Sequence, residues 1–182
     1  MERFGGNLLG WVRHLRDLGV IEPITCTATH GFLPLMYTYE SRRAQVQIAV
    51  ANFVKHFGEQ PRGIWLAECG FVPGVEEILK DEGIRYFFLE THGLYFGEPR
   101  PRYGVYAPCY TPSGVAAFAR DPEGSRSVWS SENGYPGDAL YREFYRDLGY
   151  DGDYEWVKAF LHPDGVRRNL SLKYHRITGR VP

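Results

Sequence analysis

Four stretches of the sequence are followed by side chains able to do acid–base or nucleophilic chemistry. Thr29 and His30 follow VIEPITCTA, Glu68 and Cys69 follow GIWLA, and Glu90, Thr91 and His92 follow IRYFFL. Glu132, Tyr135 and Asp138 follow a fourth stretch, 126–131. In α/β folds, ligands collect at the C-terminal ends of parallel strands, so residues in these places are candidates for a site. Glu68 is the most informative. A carboxylate that ends the run Ile-Trp-Leu-Ala is costly to bury unless it is paired or used. It is therefore either a partner for an arginine or a nucleophile or general acid. Trp65 lies three residues earlier, where strand alternation turns it to the face opposite Glu68. It is a core ring or a sugar-stacking platform. Cys69 offers a thiol nucleophile with His30 or His92 as base, against the plainer reading of a small buried hydrophobe. His30 has no clustered partner at metal-ligand spacing, so no metal is expected. The glycines form neither GxGxxG nor GxxxxGK, and no nucleotide cofactor is expected.

The elements that must hold these groups alternate along the chain. Residues 5–18 carry Leu8, Leu9, Val12, Leu15 and Leu18 near a 3.6 period and end at Gly19, which predicts a helix. Residues 20–28 read as a strand whose first half Pro23 weakens. Ser41 is placed to cap a helix over 42–57, with Val46, Val50, Phe53, Val54 and Phe57 as its apolar stripe. Then come a strand at 63–68, a helix at 75–82 closed by Gly83, and a strand at 84–90, the rhythm of a parallel α/β unit. From 91 to 135 the pattern loosens, with short strands expected at 114–120 and 126–131. A helix is expected at 138–149 and a strand at 171–178. The parallel strands are then 20–28, 63–68, 84–90 and 126–131. A closed eight-fold barrel needs about 250 residues, and this chain has 182.

Composition narrows the function. With 21 Lys+Arg against 22 Asp+Glu, the chain lacks the basic excess that nucleic acid or an anionic membrane would demand. No run of about 18 apolar residues spans a membrane, and the N-terminus does not read as a signal peptide. Three widely spaced cysteines, Cys26, Cys69 and Cys109, suit a reducing, cytoplasmic setting. Four Trp, 13 Tyr and 11 Phe among 21 Gly and 12 Pro suggest ordered, aromatic-rich loops. Some of these rings can stack on the C–H face of a sugar. No internal linker divides residues 1–182, which read as a single domain.

Four segments together resemble glycoside hydrolase family 57: ATHGFLP (28–34), GIWLAECGFVPG (63–74), RDPEGSRSVWSSENGYPGD (120–138) and YREFYRDLGYD (141–151). The likeness is strongest to the family's α-1,4-glucan branching enzymes, and it covers nearly the whole chain. It implies a partial (β/α)7-type barrel with parallel strands, the first and last strands missing, and a retaining mechanism on α-glucan without a cofactor. Carried over residue by residue, the resemblance makes Glu68 the catalytic nucleophile. It places His30 and Trp129 at the sugar-binding face, where Trp65 and Tyr135 join them as candidate substrate contacts.

The family's first strand carries a His-x-His motif, and nothing like it precedes residue 20 here. Its general acid/base is an Asp in a later segment than any matched by this sequence. The regions after Glu68 and around 104–114 are also shorter than in branching enzymes. The expectation is that the chain carries the nucleophile but not the acid/base, and is weakly active or inactive by itself. The alternative is a non-catalytic α-glucan-binding domain using Trp129, Tyr135 and His30. The open edges of a partial barrel predict self-association or a partner that supplies strands.

Overall fold

A computed structural model describes residues 5–138 and 146–173, which fall into two compact units, Met1–Arg120 and Asp121–Pro182. The first unit opens with helix α1 (Leu8–Asp17), capped by the Asn7 side chain, which accepts from the Gly10 N–H at 2.8 Å. Strand β1 is only Thr25–Cys26, because Pro23 removes a donor from the run before it. Helix α2 (Tyr39–Phe57) starts three residues before the expected point. Thr38, not Ser41, is the cap: its Oγ1 accepts from the Ser41 N–H at 3.1 Å. The helix ends where expected, at Gly58 in a left-handed conformation.

Strand β2 (Gly63–Trp65), helix α3 (Val75–Asp81), strand β3 (Tyr86–Leu89) and a short helix α4 (Thr91–Tyr95) come next. Strands β4 (Cys109–Tyr110) and β5 (Ala116–Ala119) complete a sheet of order β1-β2-β3-β5-β4 among the described residues. β1, β2, β3 and β5 run parallel, and β4 pairs antiparallel with β5 at the edge. This is the expected α/β class with a parallel sheet. The fourth parallel strand is 116–119, however, and not 126–131.

The pleat separates two faces. Ile64, Phe87, Leu89 and Ala117 point into a core with Val46 and Val50 of α2, Val75, Ile78 and Leu79 of α3, and Leu94 of α4. The opposite face carries a row of rings in which Trp65 lies 5.8 Å from Phe88, and Phe88 lies 6.1 Å from Phe118. Gly63 makes room in this face for Tyr86, whose ring a Cβ at residue 63 would meet at 2.3 Å.

The second unit contains α5 (Pro122–Trp129), a 3-10 turn at Tyr135–Gly137, α6 (Leu148–Asp151) and α7 (Tyr154–Val157). The predicted strand at 126–131 is therefore corrected to the end of a helix. Asp121 caps that helix by accepting from the Gly124 N–H at 2.6 Å, and Pro122 occupies its first turn. These two start signals outweigh the strand propensity of Val128 and Trp129. Asp147 anchors α6: its Oδ1 accepts from the N–H groups of Gly149 (2.9 Å) and Leu170 (3.0 Å). Most of the helix expected at 138–149 and the strand expected at 171–178 fall on residues 139–145 and 174–182, outside the described residues. No helix among the described residues is long and apolar enough to cross a membrane.

Candidate active site

The site is built from the segments that leave the C-terminal ends of β1, β2, β3 and β5. β2 stops at Trp65, and Ala67–Cys69 turns as a 3-10 helix, so Glu68 is not a strand residue as expected. The chain reverses there because Glu68 (φ 50°) and Cys69 (φ 55°) both adopt the left-handed conformation. The Cys69 N–H donates to the Leu66 carbonyl at 2.9 Å, and the Gly70 N–H to the Ala67 carbonyl at 2.9 Å. Each non-glycine residue held there costs of order 1–2 kcal/mol. Leu66 and Ala67 are buried beneath, so the turn stands on a rigid floor.

The loop after β1 contains the same kind of distortion. His30 has φ 54°, and its N–H donates to the Thr27 carbonyl at 2.9 Å. Thr27 is fully buried, and its hydroxyl donates to the Gly31 carbonyl at 3.2 Å. Gln45 of α2 accepts from the Thr29 N–H at 3.0 Å. The two loops are packed together by the Phe32 ring, which lies against Gly70 where a Cβ would meet it at 2.2 Å. His30 Nε2 thereby stands 3.9 Å from Glu68 Oε1, an ion-pair distance when the imidazole is protonated.

The Glu68 side chain is 80% exposed. The expectation that its carboxylate is buried, and must be paired for that reason, is corrected: the cost at this position lies in the backbone. Among the described residues no arginine or lysine pairs with it, so the carboxylate is open to a ligand. With Glu68 off the strand, alternation from Trp65 does not decide its direction. Trp65 itself is half-buried in the ring-lined face of the sheet.

Cys69, by contrast, is buried. Burial and the Glu90 carboxylate push its thiol pKa up, with Arg120 offsetting this only in part. A thiol held neutral is a poor nucleophile, which argues against the cysteine-hydrolase reading. His92 lies exposed on α4. Glu90 lies just past β3 and pairs through Oε1 with Arg120 Nη1 at 2.5 Å. Arg120 lies just past β5 and escapes a reading of the sequence alone, because β5 is not among the strands expected to bear a site. The signal is present in the Ala-Arg-Asp that ends an apolar run.

Trp129 and Tyr135 belong to the second unit. Trp129 is the last residue of α5 and 74% exposed; Tyr135 opens a 3-10 turn above the buried Pro136. The stretch between them is tightly wound. Ser130 Oγ accepts from the N–H groups of Glu132 (3.1 Å) and Asn133 (3.0 Å), and a Cβ at Gly137 would meet the Ser131 carbonyl at 1.9 Å.

Comparison with known proteins gives this geometry a context. The family model for glycosyl hydrolase family 57 matches residues 1–182. A 1,4-alpha-glucan branching enzyme of Thermococcus kodakarensis is 38% identical over 87% of this chain and 29% of its own length. The crystal structure of an alpha-amylase from Thermotoga maritima superposes with a TM-score of 0.81 at 49% identity, covering 99% of this chain and 35% of that one. A branching enzyme from the first organism, crystallised with glucose, gives a TM-score of 0.70 at 34% identity over 99% of this chain and 34% of that one. The chain thus spans about a third of the length of each.

Proposed function

The chain belongs to glycosyl hydrolase family 57, and from this premise we propose that it is the nucleophile-bearing part of a retaining glycosidase or transglycosidase acting on α-1,4-glucan. The observation that carries the reading is the placement of Glu68. It is an exposed carboxylate after a parallel strand, held outward by two consecutive left-handed residues, with His30 3.9 Å away. Strain of this kind is tolerated where function requires it.

In the proposed reaction a Glu68 oxygen attacks the anomeric carbon, forming a glycosyl ester as the glycosidic oxygen leaves with its electron pair and takes a proton from a second carboxyl group. Water then releases the sugar, or a glucan hydroxyl receives it and a branch forms. His30 lies beside the reacting carboxylate and is a candidate hydrogen-bond donor to a sugar hydroxyl. Trp65, Trp129 and Tyr135 remain candidate stacking surfaces. The acid/base group comes from polypeptide corresponding to the rest of the relatives' length, so turnover by this chain alone is expected to fall by about 10²–10⁴-fold. Among the described residues β1 and β4 are the edge strands of the sheet, through which such polypeptide, or a second copy, would pair.

A substrate whose departure needs no proton isolates the first step. With 5-fluoro-α-maltosyl fluoride, attack by Glu68 breaks the C1–F bond, fluoride leaves as the anion, and the ester accumulates because the ring fluorine slows its hydrolysis. Intact mass and peptide mapping should find the sugar on Glu68, and Glu68→Gln should abolish it. Labelling at another residue, or labelling that survives Glu68→Gln, would overturn the assignment. A chain that binds amylose but is never labelled would instead favour the glucan-binding alternative.

A further inference from the structure

The loop that carries His30 is tied to α2 through one residue, Gln45. The Ala28 N–H donates to the Gln45 backbone carbonyl at 3.0 Å, and the next N–H, that of Thr29, donates to Gln45 Oε1 at 3.0 Å. The other end of the amide is engaged as well: Gln45 Nε2 donates to Thr29 Oγ1 at 2.9 Å. On the far side of His30 the same amide faces Gly31, where a Cβ would meet Gln45 Cδ and Oε1 at 3.5 Å. Gln45 therefore flanks, through both chain neighbours, a histidine held at φ 54°. A non-glycine residue keeps that conformation only where its surroundings over-determine it. Buried Thr27 fixes the base of the turn by donating from its hydroxyl to the Gly31 carbonyl at 3.2 Å; Gln45 fixes the crest. One turn earlier on α2, Arg42 Nε donates to the carbonyls of Leu33 (3.2 Å) and Met36 (3.1 Å) and ties down the far end of the loop.

We propose that Gln45 is a positioning residue for His30: its side-chain amide clasps Thr29 and holds the 28–31 turn in the form that sets the imidazole 3.9 Å from Glu68. The proposal rests on the reading of Glu68 as nucleophile with His30 beside it. Thr29 presents an N–H donor and a hydroxyl oxygen together, and an amide, with an acceptor and a donor on one carbon, answers both. A methionine of similar length fills the space and answers neither.

The test compares Gln45→Met, His30→Ala and the Gln45→Met/His30→Ala double variant by 5-fluoro-α-maltosyl fluoride labelling, and the wild type with Gln45→Met by amide hydrogen exchange. Methionine keeps the helix propensity of position 45, and Thr29→Val, which removes only the hydroxyl half of the clasp, repeats the comparison should Gln45→Met not fold. Each single variant should lower the labelling rate by about 10–100-fold. The double variant should stay within about twofold of His30→Ala, since a residue acting through His30 has nothing left to position; a merely structural role for Gln45 would add its own loss. Exchange of the His30 amide, which bonds to the Thr27 carbonyl and not to Gln45, should rise by about tenfold in Gln45→Met, with the amide of Val50 on the same helix unaffected. Wild-type labelling by either single variant, or losses that multiply in the double variant, would overturn the proposal. Should the wild-type chain itself fail to label, the nucleophile reading falls, and exchange alone decides the clasp: faster exchange at His30 upholds it, unchanged exchange rejects it.

Discussion

The two ends of the parallel sheet in the first unit use the same residue types to opposite effect. At the N-terminal end Glu22 accepts from the Tyr86 hydroxyl at 2.7 Å and from Arg62. Arg16 pairs with Asp17 at 2.6 Å and Glu59 at 3.0 Å, and also donates to the Phe57 carbonyl at 2.6 Å. A cavity of about 650 Å³ opens there, but the charges that line it are paired with one another. At the C-terminal end Glu68 is largely exposed, and the backbone beneath it is strained. One end has its charges satisfied and its backbone relaxed; the other keeps a carboxylate available at the expense of local stability. Backbone strain next to an available carboxylate favours the C-terminal end, where the site is proposed, in keeping with the division of labour in α/β folds between a stabilising N-terminal face and a reactive C-terminal face.

The sharpest way to break this contrast is to neutralise one glutamate at each end. Glu68→Gln should reduce labelling by more than about 10³-fold, while thermal unfolding shifts by no more than about 0.5 kcal/mol, because the side chain is exposed. Glu22→Gln should do the reverse, leaving labelling intact and costing about 1–3 kcal/mol through the Tyr86 and Arg62 hydrogen bonds it weakens. Equal effects of the two changes on labelling would erase the distinction. Next in size is Gly63→Ala. The new methyl would meet the Tyr86 ring at 2.3 Å, so either the ring leaves Glu22 or the strand shifts. Chemical denaturation should register about 1–3 kcal/mol, with Glu68 still labelled.

How much of this is legible in the sequence depends on which residues carry the signal. α2 is readable because its apolar period and its Gly58 stop agree, and β3 because Ile-Arg-Tyr-Phe-Phe-Leu is bounded by Gly83 and by a polar end. The segment at 126–131 misleads because Val128 and Trp129 favour a strand, while the helix start lies upstream in Asp121 and Pro122. Glu68 is legible as a residue but not as a conformation. Nothing in Ala-Glu-Cys-Gly announces two left-handed residues in a row, since that shape is imposed by the buried Leu66 and Ala67 and by Phe32 seated on Gly70. The Glu90–Arg120 pair is hidden for a related reason. It joins residues thirty apart through a strand register that a sequence does not display, whereas the placement of Glu68 can be carried over from matched segments.

The N-terminal network also makes a pH prediction. Burial, together with the hydrogen bond to Glu22 and its negative charge, pushes the Tyr86 phenol up to about 12. The folded chain therefore holds this proton more tightly than the unfolded chain, whose tyrosines titrate near 10. The resulting stabilisation is complete below about pH 10 and is lost as the pH rises towards 12. Denaturant midpoints measured between pH 9 and 12 should fall for the wild type and stay flatter for Tyr86→Phe. Ultraviolet titration should show one fewer late-ionising tyrosine in that variant. An identical alkaline decline in both would mean that the network does not hold the phenol.

The smallest effect is also the most direct test of strain at the other end. Glu68→Gly removes the Cβ from a residue at φ 50°, ψ 29°, relieving about 1–2 kcal/mol of backbone cost. The greater freedom of glycine in the unfolded chain takes back about 0.5–1 kcal/mol. The net expectation is a gain of about 0.5–1 kcal/mol in a chain that can no longer be labelled. Asparagine tolerates the left-handed region better than glutamate and gives up less to the unfolded state, so Glu68→Asn should be at least neutral in stability. The equivalent change at the relaxed end, at a residue with ordinary φ such as Arg62, should only destabilise. A loss of stability in Glu68→Gly would mean that the turn is not held against its preference, and the contrast between the two ends would then rest on charge pairing alone.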